Sequence, residues 1–165
     1  MNRKMNVNKS EIYERCFKEI TRKIEGLDIN DKMNMICEIL KEKIPYYFWI
    51  GFYFPKSGFL ELGPSRGPPA CVRIATTGVC GKAAKERRPV IVPDVKAFPG
   101  HIVCDPRSKS EIALPVFDSK GDIIAILDVD SEELGSFDET DQKWLEKILH
   151  CAFSDHERNS AIFDE

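Results

Sequence analysis

Residues 111–130, EIALPVFDSKGDIIAILDVD, decide the fold. Two runs, Glu111 to Phe117 and Ile123 to Asp130, are rich in aliphatic residues and are joined across Asp118-Ser119-Lys120-Gly121-Asp122, a composition that predicts a β-hairpin. Side chains alternate across a strand, so each run divides into two faces. Ile123, Ala125, Leu127 and Val129 form one wholly apolar face, and Ile124, Ile126, Asp128 and Asp130 form the other. In the partner run Ile112, Leu114 and Val116 are apolar, while Glu111, Ala113, Pro115 and Phe117 share the opposite face. The apolar faces must lie together against helices, and residues directly opposite in an antiparallel pair point to the same side. Glu111 therefore lies across from Asp128 or Asp130, through a four-residue or a two-residue loop. Either register gathers three carboxylates, with Asp128 and Asp130 about 7 Å apart. Like charges this close raise one another's pKa, which makes the patch a candidate acid or a cradle for a cation. A lone Asp-x-Asp more often ends a strand in water, but a structural charge cluster normally includes the opposite sign, and here no Lys or Arg is interleaved.

Upstream, Tyr47 to Phe54 is dense in aromatic and β-branched residues and is followed by Pro55-Lys56-Ser57-Gly58 and a short run Phe59 to Leu62, a second hairpin. Alternation places Phe48, Ile50, Phe52 and Phe54 on a core face and Tyr47, Trp49, Gly51 and Tyr53 on the other. The second face reads either as an aromatic core layer or as a pocket wall with polar handles, with Gly51 a gap for close approach. Residues 63–69 are expected to be irregular, Cys71 to Ile74 and Val90 to Val92 to be short strands, Gly78 to Arg88 a short helix, and Pro93 to Ser110 a long loop. Apolar residues at spacings of three and four predict helices over 10–25 and 31–44, and a last helix with Trp144, Leu145, Ile148, Leu149, Ala152 and Phe153 on its stripe, capped by Ser136 with Glu139 or by Asp138. The expected class is α+β, an antiparallel sheet with helices on one face. The chain's 165 residues correspond to one domain, with N-terminal helices over 1–45, sheet and loops over 46–131 and a C-terminal helix over 136–158.

With 24 basic and 27 acidic residues the chain has a net charge of −3, which argues against nucleic acid as a partner. No apolar signal segment and no run near 18 apolar residues occurs, so a cytoplasmic location without membrane contact is expected. Six cysteines are many for a reducing compartment. Cys16 and Cys37 fall on helical apolar stripes and read as small buried hydrophobes, and Cys151 lies near the last stripe without chemical partners in sequence. Cys71, Cys80 and Cys104 fall in the segment that must cover the second face of the sheet. Zinc spacings are absent, and only His101, three residues before Cys104, could add nitrogen, so no metal is expected. Cys104 sits in a loop punctuated by Pro99-Gly100 and Asp105-Pro106, a setting for a reactive thiol. A sulfenic acid formed there would condense with a second thiol, for which Cys71 and Cys80 are candidates.

Ala70-Cys71-Val72-Arg73-Ile74, Gly78-Val79-Cys80-Gly81, Phe98 to Asp105, Ser110-Glu111-Ile112, Leu127 to Ser131 and Trp49 to Tyr53 together resemble the free methionine-(R)-sulfoxide reductases, small GAF proteins. The resemblance runs from about residue 30 to residue 150 and implies a GAF-like sheet with a loop-covered pocket. It implies that Cys104 attacks the sulfoxide sulfur, that Cys71 resolves the sulfenic acid as a disulfide, and that Cys80 has an auxiliary or alternative resolving role. Glu111, Asp128 and Asp130 match the acids that bind and polarise the substrate, and Trp49 and Tyr53 the aromatic wall. The implied enzyme repairs an oxidised amino acid with an external thiol reductant of the thioredoxin type, with no cofactor, and homodimerises by family habit. A sulfoxide oxygen leaves only once protonated, which a raised-pKa carboxylic acid can do. An acidic patch disfavours a thiolate, so Cys104 needs help from backbone N–H groups, His101, Arg107 or a neutral acid. The chain departs from the family at Ala75-Thr76-Thr77, one residue shorter, which bears on the reach of Cys71 and the position of Cys80. Two other readings are a GAF-type binding or sensing module without turnover, and a Cys104–His101 hydrolase or transferase.

Overall fold

The computed structural model describes residues 8–155. The side chains of Asn8 and Asp28 accept hydrogen bonds from the amides of Glu11 and Asp31, which opens α1 (Lys9–Lys23) and α2 (Ile29–Lys43). Both helices are amphipathic, and their apolar stripes, Cys16 and Cys37 included, are buried. The strands β1 (Trp49–Pro55), β2 (Leu60–Arg66), β3 (Arg73–Ile74), β4 (Val90–Val92), β5 (Ser110–Phe117) and β6 (Ile123–Ser131) form one sheet. Their spatial order is β3-β2-β1-β6-β5-β4, and every neighbouring pair is antiparallel. With α3 (Val79–Glu86) and α4 (Glu139–Leu149) this is the expected α+β architecture, an antiparallel sheet with its larger helices on one face.

The sheet has two apolar layers. Ile50, Phe52, Ile112, Leu114, Val116, Ala125, Leu127 and Val129 pack with α1, α2 and α4. Trp49, Tyr53, Ala113 and Ile126 pack instead with Val79, Cys80 and Ala83 of α3 and with Val92 and Val95. The second layer is thin and carries the acids. Its cover consists of α3, a 3-10 turn at Val95–Ala97, and the loop to Ser110.

Three local expectations change, and one pair of alternatives is decided. The strand parity fails before Trp49: Tyr47 belongs to the helix-side core and Phe48 to the second layer, because residues 45–48 form a turn and alternation begins only where β1 does. Residues 63–66 are strand rather than irregular. The outer edge of β2 pairs with β3 only at Leu60 and Glu61, so Pro64 lies where its missing N–H has no strand to serve. A bulge near the β5–β6 turn pairs Phe117 with Ile123 but Val116 with Ala125, which moves Ile123 to the second layer and Ile124 to the first. Of the two caps expected for α4, Asp138 is the one that forms, in a reciprocal box with Asp141. Ser136 instead bonds Ser131 at 2.6 Å. Past α4 a π-helical turn spans His150–Ser154, and the end of the helix expected to reach 158 lies outside the described residues.

Candidate functional site

Pairing across the three central strands arranges the second face in rows. Trp49 pairs with Asp130 and Asp130 with Glu111; Gly51 pairs with Asp128 and Asp128 with Ala113; Tyr53 pairs with Ile126. Paired residues share a face, so Trp49, Tyr53, Glu111, Asp128 and Asp130 all look into one cavity. The register is the one that opposes Glu111 to Asp130. The indole of Trp49 folds over Gly51: a Cβ at that residue would lie 2.8 Å from Trp49 Cζ2 and from Ser65 Cβ. The gap in the strand is therefore filled by the pocket's own wall. Trp49 and Tyr53 have ring centroids 6.0 Å apart, and the Tyr53 hydroxyl donates to the Cys71 carbonyl at 2.9 Å, tying wall to roof.

The roof carries Cys71, before β3, and Cys104, in the loop before β5. They form a disulfide, with Cα atoms 5.5 Å apart across 33 residues. The short Ala75–Thr77 segment presses on the first turn of α3, where a side chain at Gly81 would overlap the Thr76 carbonyl. That contact sets Cys80 at the back of the cavity, 3% exposed and with a free thiol. Cys16 and Cys37 are buried free thiols in the helix-side core, where burial raises them to about 11 and about 12.

Glu111 and Asp128 are each 5% exposed. Burial, and then the charge of Asp130, push Glu111 up to about 8. Burial and the neighbouring carboxylates raise Asp128 and Asp130 well above the usual range. Asp128 lies beside Glu111 and the Cys80 thiol, and its Oδ1 has no hydrogen-bond partner. A carboxylate cannot donate, so contacts among these acids require a shared proton. Burial and the same carboxylates push the Cys80 thiol up. One donor atom each from Cys80, Glu111 and Asp128 lies within 4.8 Å of the others.

Sequence reasoning offered His101 and Arg107 as helpers of Cys104, and the structure gives both other tasks. His101 Nε2 lies 3.4 Å from Glu111 Oε1, and burial lowers its pKa. Arg107 donates to Asp105 through Nε at 3.0 Å and a terminal nitrogen at 2.7 Å, and its guanidinium lies 4.9 Å over the Phe48 ring. Backbone N–H groups and a neutral acid in the cluster are the remaining sources of relief for a thiolate. Phe48 and Ile102 also line the cavity. No periodic signal marks them, because both sit in non-repetitive backbone.

The GAF domain family pattern matches residues 26–150. The chain is 45% identical over 144 residues to GAF domain-containing protein A of Dictyostelium discoideum, covering 82% of this chain and 89% of that protein. It is 34% identical over 162 residues to the free methionine-R-sulfoxide reductase of Saccharomyces cerevisiae, covering 90% of this chain and 87% of that one. The X-ray structure of free methionine-R-sulfoxide reductase from Neisseria meningitidis in complex with its substrate superposes with a TM-score of 0.85 at 37% identity, over 94% of this chain and 92% of the other. Similarity along nearly the whole length, with a redox-capable cysteine pair over a pocket of buried acids, places the chain in the free methionine-R-sulfoxide reductase family of GAF domain proteins.

Proposed function

We propose that the chain reduces free L-methionine-(R)-sulfoxide to L-methionine with thiols as the electron source. The observation that carries this reading is the Cys71–Cys104 pair closing the cavity that holds Glu111, Asp128 and Asp130. The substrate's ammonium is suited to the acid cluster, where its charge favours ionisation of one or two carboxyls, and its thioether arm to Trp49 and Tyr53. A proton from the remaining acid passes to the sulfoxide oxygen as Cys104 sulfur attacks the sulfoxide sulfur. The S–O bond breaks and the oxygen ends on Cys104, so methionine leaves reduced by two electrons and Cys104 becomes a sulfenic acid. The Cys71 thiol then displaces that oxygen as water and forms the disulfide. An external dithiol of the thioredoxin type returns both cysteines to thiols by exchange and takes the disulfide itself. Val72 and Val103 flank the two cysteines and are 61% and 65% exposed, an apolar landing beside the bond to be reduced. Cys80, buried among carboxyls, suits a role in shaping the acid cluster better than resolving Cys104.

Reduced protein without added reductant is expected to yield one methionine per chain from the (R) epimer, none from the (S) epimer, and to end as the disulfide. Cys104→Ser abolishes the product, and Cys71→Ser gives one methionine while retaining a sulfenic acid that dimedone traps. Folded, reduced wild type that yields no methionine refutes the reading and leaves a GAF binding module.

A further inference from the structure

No zinc spacing exists along the chain, yet the fold collects a zinc-like donor set from four separate segments. Cys80 comes from the first turn of α3, Glu111 from β5 and Asp128 from β6, all buried, with one ligand atom each within 4.8 Å of the others. His101, from the loop ahead of β5, brings Nε2 to 3.4 Å from Glu111 Oε1 with a side chain only 13% exposed. Independently of the cluster, Asp128 Oδ1 is a buried oxygen with no hydrogen-bond partner, although native proteins satisfy nearly all such atoms. Asp128 lines the cavity, which gives a cavity ligand access to its carboxyl.

We propose that the pocket floor binds a zinc-class divalent cation through Cys80, Glu111 and Asp128, with His101 as fourth donor, and that the bound cation excludes the sulfoxide substrate. One sulfur, two carboxylate oxygens and one imidazole nitrogen suit a borderline-soft tetrahedral ion; Mg²⁺ and Ca²⁺ favour all-oxygen shells. Zn–O and Zn–S distances of about 2.0 and 2.3 Å place neighbouring donors about 3.3–3.5 Å apart, so the Cys80–Glu111–Asp128 cluster needs to contract by up to about 1.5 Å, and His101, which stands outside that cluster beside Glu111, needs to turn in toward it. Side-chain rotation supplies that, because three of the donors stand on regular elements whose backbones need not move. A thiolate and two carboxylates balance two positive charges and leave one negative charge in place of the proton-sharing network. Uptake releases the Cys80 proton and any protons held by the two acids to solvent. Burial lowers the His101 pKa, which favours the neutral form that binds metal. Cys71 and Cys104 take no part, so the disulfide state retains the site.

Uptake stands on the donor geometry alone, whereas exclusion of the sulfoxide rests on the reductase reading, and the experiment separates them. Disulfide-form protein, free of reductant, is titrated with Co²⁺ as an optical probe. One Co²⁺ per chain is expected, with a near-ultraviolet thiolate charge-transfer band that equimolar Zn²⁺ removes. Cys80→Ser loses the band, Cys104→Ser keeps it, and Asp128→Asn, which retains the thiol and serves if Cys80→Ser misfolds, weakens uptake at least tenfold. Absence of the band, or a band that survives in folded Cys80→Ser, overturns the site. With reduced enzyme, Zn²⁺ is expected to raise KM for the sulfoxide without changing kcat, and Zn²⁺ uptake with unchanged KM overturns the exclusion. Failure of the reductase reading would leave the Co²⁺ result intact.

Discussion

On the helical side of the sheet Asp141 has both oxygens occupied, while on the pocket side Asp128 is also buried and has one oxygen with no partner. Tyr46 donates to Asp141 Oδ1, and Tyr13 donates to the same oxygen at 2.7 Å; Lys9 and the Asp138 amide donate to Oδ2 at 2.7 and 2.8 Å. Tyr13 spends its proton on Asp141, so Tyr47 is the donor in the 2.8 Å contact between the two tyrosines. This network ties α1, the turn before β1 and the start of α4 into one unit. Around Asp128 the neighbours are Glu111, Cys80 and Asp130, acids that compete for few protons. The contrast teaches that burial of a carboxylate says little by itself. A satisfied one holds the fold together, and an unsatisfied one is binding capacity kept at a cost in stability.

Four substitutions test that contrast. Asp141→Ala strands two tyrosyl hydroxyls, Lys9 and the Asp138 amide, and is expected to cost about 3–5 kcal/mol in urea unfolding while activity per folded molecule is unchanged. Asp128→Asn is expected to lower kcat/KM at least ~100-fold with no loss of stability. If it unfolds the protein as Asp141→Ala does, the distinction between the two regions is wrong. Glu111→Gln sharpens it through pH. The folded Glu111 pKa is raised from 4.5 to about 8, so the stability this group contributes is fully present below pH 4.5 and is lost as pH rises through 8. The Gln variant escapes that loss, so its Tm is expected to exceed wild type by several degrees at pH 8.5 and to converge with it below pH 4.5, corresponding to a few kcal/mol at most. The smallest effect belongs to Asp138→Ala, which removes the N-cap of α4 and an exposed 3.3 Å pairing with Lys9, for about 1 kcal/mol.

Much of the pocket was legible because strand alternation is a local rule. Once Ile112, Leu114, Val116, Leu127 and Val129 had to face the helices, Glu111, Asp128 and Asp130 had to share the other side, and a one-residue slip would have buried charge in the main core. The same rule misplaced Tyr47 and Phe48, since it says nothing of where a strand starts. It also could not show Pro64 as strand, because tolerance of proline depends on whether the neighbouring edge is occupied. Asp138 as cap was one of two local alternatives, and what the sequence did not show is its partner Asp141, which Lys9, 132 residues away, helps hold in place.

The sequence by itself determined the helices, the two central hairpins, the facing of the three acids and, through family motifs, the cysteines to watch. Each rests on periodicity or short ordered motifs, which propagate along the chain. The resemblance already implied that Cys71 meets Cys104; tertiary structure alone decided that Glu111 opposes Asp130, that Cys80 turns to the acids, and that His101 lies against Glu111. These are contacts between segments whose separation is set by packing of the whole sheet and its cover, and no local pattern of residues encodes such distances.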